Sequence, residues 1–219
     1  MLGPIEPATE TPTVEGTATP LGRREQNKVE KRQRILAAAA RLFDEQGFDA
    51  TTTSAVAKAA GIGKGTLFLY MATKEDLLVA VFREEVGRAW DAAFAAVDPT
   101  AALIDQLLHA FGDVIEFHEQ DPQLARTFLK ELLYVSEPAS LDVTEFMRGF
   151  MQRLTEMLAA GQGRGELAAD VPVRGLSANL YAIWSSLMHR RYAGHITIEE
   201  LYDYLDQGFR LQLRGLDPR

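Results

Sequence analysis

Residues 52–74, TTSAVAKAAGIGKGTLFLYMATK, restrict the fold more than any other stretch of this 219-residue chain. Thr52 and Thr53 are hydroxyl residues able to cap a helix N-terminus, and Ser54–Ala60 is a strong helix-forming run. Gly61 stands where that helix stops, since glycine takes the left-handed conformation after a helix end at almost no cost. Ile62 is an apolar turn residue, and a second helix opens near Lys64 carrying Thr66, Leu67, Phe68 and Tyr70. Two short helices across a glycine turn make a helix-turn-helix unit, whose second helix enters the DNA major groove.

The flanking sequence is helical throughout. Ile35, Ala39, Leu42 and Phe43 give an apolar face to a helix over about 25–46 that Gly47 ends, and its start carries Arg23, Arg24, Lys28, Lys31, Arg32 and Arg34. A helix over 75–96 joins this head to the remainder. Asp98-Pro99-Thr100 breaks it, with Thr100 as the next cap. Further helices are predicted over 101–119, 123–135, 141–160, 173–192 and 198–213. Gly161–Gly165 between two of them reads as a flexible connection, because it lacks both the Gly-Lys-Ser/Thr ending and the preceding strand of a phosphate-binding loop. The fold class is therefore all-α: an N-terminal three-helix helix-turn-helix domain over 23–78, then a helical bundle over 79–219. Residues 1–22, rich in Pro, Thr and Glu without apolar periodicity, read as a disordered tail.

Charge follows the same division. The formal net charge is −8, yet residues 21–75 carry ten bases against six acids, while 76–219 carry thirteen bases against twenty-two acids. A locally basic head on an acidic body is the asymmetry expected when one part alone meets phosphate. Cysteine is absent, which excludes disulfides, thiolate metal sites and cysteine nucleophiles. The four histidines form no metal-ligand spacing and no GxSxG occurs, so an enzyme is not expected and no cofactor or metal is implied. No apolar run is long enough for a membrane span and no signal pattern opens the chain, so a cytoplasmic protein without a membrane partner is expected.

Arg34–Phe43, Gly47, Thr51-Thr52, Val56-Ala57, Ala60-Gly61, Gly65-Thr66-Leu67 and Lys74–Leu78 together resemble the N-terminal signature of the tetracycline-repressor (TetR) family of bacterial transcription regulators. The resemblance runs without gaps from Arg34 to Leu78; beyond it the likeness is architectural. It implies double-stranded DNA as partner, read by the helix from Lys64 to Tyr70. Leu67 then packs inward, while Gly63, Lys64, Gly65, Thr66, Phe68, Leu69 and Tyr70 face the duplex. Lys64 suits either a guanine edge or a phosphate. Tyr70, Lys74 and Thr52 match positions that touch phosphates, and Arg32 lies among the basic residues that follow the backbone. Three positions depart from the family pattern: Gly63 stands where Ser is common, Phe68 where Tyr is common, and Met71 where an aromatic is usual.

The resemblance also implies a homodimer and a small-molecule inducer. Leu176, Leu180, Ile183 and Leu187 on one helix, and Leu201, Leu205 and Phe209 on the next, form apolar stripes. Such stripes are more often core, but family members pair through their last two helices. A mostly apolar pocket is expected among Phe94, Phe111, Phe128, Phe150 and Trp184, with Glu116, His118 and Glu131 as orienting groups, suiting a lipophilic or cationic inducer. A dimer would place two reading helices on a (pseudo)palindromic operator. Repression is the default sign. The rival reading is a helical sensor or adaptor whose head has lost specific DNA binding.

Overall fold

The computed structural model describes residues 22–132 and 139–214. The tail expected over 1–22 lies outside these apart from Gly22, as does the end of the helix expected over 123–135. Among the described residues there are nine helices and no strand: α1 (Arg23–Ala50), α2 (Thr53–Ala59), α3 (Lys64–Phe68), α4 (Lys74–Ala96), α5 (Leu103–Glu119), α6 (Pro122–Glu131), α7 (Ala139–Gly163), α8 (Val173–Tyr192) and α9 (Ile198–Arg214). None of these helices is long and apolar enough to cross a membrane.

Two cores organise them. Ile35, Leu36, Ala39 and Phe43 of α1 pack with Val56 and Ala57 of α2, Leu67 of α3 and Leu77 and Leu78 of α4. The second core joins α4 through α9 and is centred on Trp90, Phe111, Phe150, Leu154, Trp184 and Phe209. Helix α4 belongs to both: Leu77, Leu78, Ala80 and Val81 enter the head core, while Val79, Phe82, Val86, Trp90 and Ala93 enter the body core. The head–body division near residue 78 therefore falls inside a continuous helix rather than at a linker.

Local chemistry sets the helix ends. Thr52 caps α2 by accepting from the Ala55 amide at 3.1 Å. Gly61 follows with φ +68°, the left-handed position expected of it. α4 begins with a reciprocal capping box: Thr73 accepts from the Asp76 amide at 2.9 Å, and Asp76 accepts from the Thr73 amide at 3.1 Å. Asp121 caps α6 by accepting from the Leu124 amide, with Pro122 in the first turn.

Gly47 ends the long first stretch of α1 as expected, with φ 81° and ψ 162°, and a short second helical stretch runs on to Ala50. The buried Thr51 hydroxyl secures that break, donating to the Gly47 carbonyl at 2.8 Å and accepting from the Gln46 side-chain amide Nε2 at 3.1 Å. Two expectations need correction. Thr100 does not cap α5: it turns back onto Asp98, and the Leu103 amide at the helix start donates to Glu166, 63 residues away. Gly161 and Gly163 are helical, not loop. A Cβ at Gly161 would stand 2.6 Å from a Leu103 methyl, so glycine here allows α7 to approach α5 closely.

Candidate nucleic-acid interface and ligand sites

The reading helix α3 is anchored by one side chain. Leu67 is fully buried in the head core. Around it Gly63, Lys64, Gly65, Phe68 and Leu69 are exposed, and Thr66 and Tyr70 are half-buried. Lys64 extends over its own helix with Nζ 5.8 Å from the Phe68 ring centre. Leu69 is 78% exposed and Phe68 43% exposed. Isolated apolar residues on a surface need no explanation, but these two stand side by side at the end of α3 and form one apolar patch.

Two expected phosphate contacts are otherwise engaged. The Lys74 ammonium donates to the Phe48 and Asp49 carbonyls at 3.0 and 3.3 Å and rests 4.2 Å from the Phe48 ring centre. It fastens the end of α1 to the start of α4. Arg32 lies 3.6 Å from Glu84 and so faces α4. Thr52 is exposed, although its hydroxyl oxygen serves as the cap. The basic residues left open at the start of α1 are Arg23, Arg24, Lys28 and Arg34.

The dimer stripe also moves. Leu176, Leu180, Leu187, Leu201, Leu205 and Phe209 are buried inside the single chain, where α8 and α9 pack on each other and on α5. Ile183 is half-buried against Gly208, where a Cβ would come within 3.1 Å of its methyl. Within the single chain the first six side chains are core, and Ile183 is only partly covered. The exposed apolar side chains of α9 are instead Tyr202, Tyr204 and Leu211.

Of the expected pocket residues, Phe94, Phe111, Phe150 and Trp184 surround Trp90, with ring centres 4.5–5.7 Å from it. Phe128 and His118 meet Phe82 beside this cluster, and His118 reaches Trp184 at 6.1 Å. His118 is buried; its Nδ1 lies 2.7 Å from the Val114 carbonyl, and its Nε2 has no hydrogen-bond partner among the described residues. Burial lowers its pKa, with the Val114 hydrogen bond and Glu119 opposing more weakly. Trp184 Nε1 is likewise unpartnered. Glu116, however, is exposed, and Glu131 faces a separate cleft between head and body. Neither carboxylate joins the aromatic cluster.

A recess of about 500 Å3 opens between α4 and α7 on the flank of that cluster. Trp90, Phe94 and Phe150 supply its apolar wall, and Arg83, Arg88 and Arg153 its cations. Glu84, Asp91 and Glu145 line it too; Asp91 pairs with Arg153 at 2.7 Å and Glu84 lies 3.7 Å from Arg83. The arginines were not among the expected site residues; only their placement beside aromatic residues across two helices reveals them.

Residues 35–81 match the model described as bacterial regulatory proteins, tetR family. The fatty acid metabolism regulator protein of Bacillus subtilis (strain 168) is 26% identical over 144 residues, covering 66% of this chain and 74% of its own length. The HTH-type transcriptional regulator RutR of Escherichia coli (strain K12) is 26% identical over 175 residues, 80% of each chain. Among solved structures, Thermus thermophilus FadR, a TetR-family transcriptional repressor in complex with lauroyl-CoA, superposes with a TM-score of 0.64 at 24% identity, covering 86% of this chain and 96% of its own. At that identity the superposition shows the shared fold.

Proposed function

We propose that this chain is a member of the TetR family of bacterial transcription regulators, a repressor that binds a (pseudo)palindromic operator as a homodimer. The observation that carries this reading is the distribution of exposed apolar side chains. Of the six large ones among the described residues, Phe68 and Leu69 crown α3 and Tyr202, Tyr204 and Leu211 sit on α9. Exposure of this kind marks surfaces meant to be covered. The first pair suits base and sugar contact, and the second set suits a two-fold partner.

The effector is a lipophilic molecule with an anionic head, of the acyl-thioester class. The T. thermophilus relative is described with lauroyl-CoA, and here Trp90, Phe94 and Phe150 offer an apolar wall beside Arg83, Arg88 and Arg153. The carboxylates expected to orient a cationic inducer, Glu116 and Glu131, lie outside this recess, whose own Glu84, Asp91 and Glu145 balance its three arginines. Release works as a population shift: the effector favours the arrangement of α4 in which the reading helices are wrongly spaced.

The test is fluorescence anisotropy of a labelled duplex from the upstream intergenic region, titrated with protein across a salt series and then with lauroyl-CoA. Binding that saturates at two protomers per duplex, weakens with salt and is reversed by the thioester is expected. Absence of binding at low salt would return the sensor or adaptor reading. Binding indifferent to lauroyl-CoA, and equal in Arg153→Glu, would remove the thioester.

A further inference from the structure

The head–body junction carries a feature that neither DNA reading nor the arginine-flanked recess uses. Where the end of α1 meets α4 and α6, a cleft of about 710 Å3 opens. Phe43, Phe48, Leu78, Phe82 and Leu124 form its apolar floor. Its rim bears six carboxylates, those of Asp44, Asp49, Glu75, Glu85, Asp121 and Glu131; among the described residues one cation, Lys130, lines it, and Lys74 stands at its edge. Lys130 is held outward by Glu131 at 2.9 Å, its side chain 75% exposed.

The wall already receives an ammonium. Lys74 places its charge over the Phe48 ring and on the Phe48 and Asp49 carbonyls, at the edge of the same cleft. Aromatic faces and carbonyl oxygens are the usual host for organic cations. Among the rim carboxylates Glu85 is half-buried: burial raises its pKa, Asp44 and Glu84 add to the rise, and Arg88 opposes it. A carboxylate so placed is stabilised by an incoming cation. The volume matches drug-sized molecules, whose sites run to roughly 300–1,000 Å3.

We propose that this cleft is a second ligand site, taking an amphiphilic organic cation whose apolar body lies on Phe43, Phe82 and Leu124 and whose charge sits among Asp44, Glu85 and Glu131. A bare metal ion fits poorly, because among the described residues no three such groups converge closely enough to hold one. An anionic effector is repelled by the same rim. The occupant would touch α1 of the head and α6 of the body at once, so its binding depends on the relative poise of the two cores. The site stands independently of the operator and of the thioester.

The test uses the full chain without DNA, so its failure is distinct from failure of the regulator reading. Benzyldimethyloctylammonium, kept below its micelle concentration, is titrated by calorimetry, with octylbenzenesulfonate as the anionic counterpart. One cation per protomer is expected, weakened by salt. Affinity should fall by about tenfold or more in Asp44→Asn/Glu85→Gln, as expected when two nearby opposite charges are removed. Thr127→Lys, which brings a resident ammonium to the rim, should compete to a similar extent. Both variants alter rim residues, and retained helical circular dichroism confirms that they fold. Equal affinity for the sulfonate, or wild-type affinity in both variants, or no binding at about 1 mM ligand, overturns the proposal.

Discussion

At the scale of single residues, Lys64 and Lys74 carry the same charge ten positions apart but different work. Lys64 is exposed in the first turn of α3, where side chains reach base edges, so Lys64→Ala should alter the preferred operator at one position per half-site. Discrimination of about 1–3 kcal/mol is at stake there. Selection from a random duplex pool measures it, and identical profiles for wild type and variant would reduce Lys64 to a phosphate contact. Lys74→Ala should keep the profile but lower stability by roughly 1–2 kcal/mol, because its ammonium bonds two carbonyls of α1. His118 makes a prediction about pH. Its folded pKa lies below the ordinary histidine value, so the unfolded chain binds the proton more readily. Stability from this residue is present above about pH 6.5 and is lost as pH falls below it. His118→Phe should therefore flatten the decline in urea midpoint between about pH 7.5 and 5.5. A decline as steep in the variant would assign the acid sensitivity to other groups.

Helix ends and helix faces decide the next scale. Thr73→Ala removes one arm of the capping box of α4 and should cost about 1 kcal/mol, read as a lower midpoint in chemical denaturation. Gly161→Ala should cost more, roughly 1–3 kcal/mol, since the added methyl meets Leu103 where α5 and α7 are closest. A neutral Gly161→Ala would mean that α7 shifts freely. These two positions also explain which features could be read from sequence. The Thr52 cap, the Gly61 turn and the buried Leu67 are local events, written within a few residues of each other, and each stands where the pattern puts it. Thr73–Asp76 was equally local, but Asp in place of the usual Glu or Gln hid the box. Gly161 and Glu166 act on Leu103 from some sixty residues away, beyond the reach of any window. Periodicity found the faces of α8 and α9 but not what covers them: a stripe has the same spacing whether it meets its own chain or a partner. Burial of Leu180, Leu205 and Phe209 assigns it to the core.

For the molecule as a whole, the decisive element is α4, which contributes alternate stretches of one helix to two cores. A ligand in the body influences DNA binding only if this shared helix makes the cores cooperative. The chain provides its own reporters, since both tryptophans, Trp90 and Trp184, lie in the body core and none lies in the head. Leu67 is fully buried in the head core and is not part of the body cluster. Leu67→Ala should cost about 2–5 kcal/mol by leaving a cavity there. If the cores are coupled through α4, tryptophan fluorescence and far-ultraviolet circular dichroism shift to the same lower midpoint, although the lesion is remote from either indole. If instead helicity is lost early while fluorescence melts as in wild type, the head unfolds alone. The coupling free energy then has no rigid path through this helix, and release of DNA would have to come from an effector acting on the head or its junction directly.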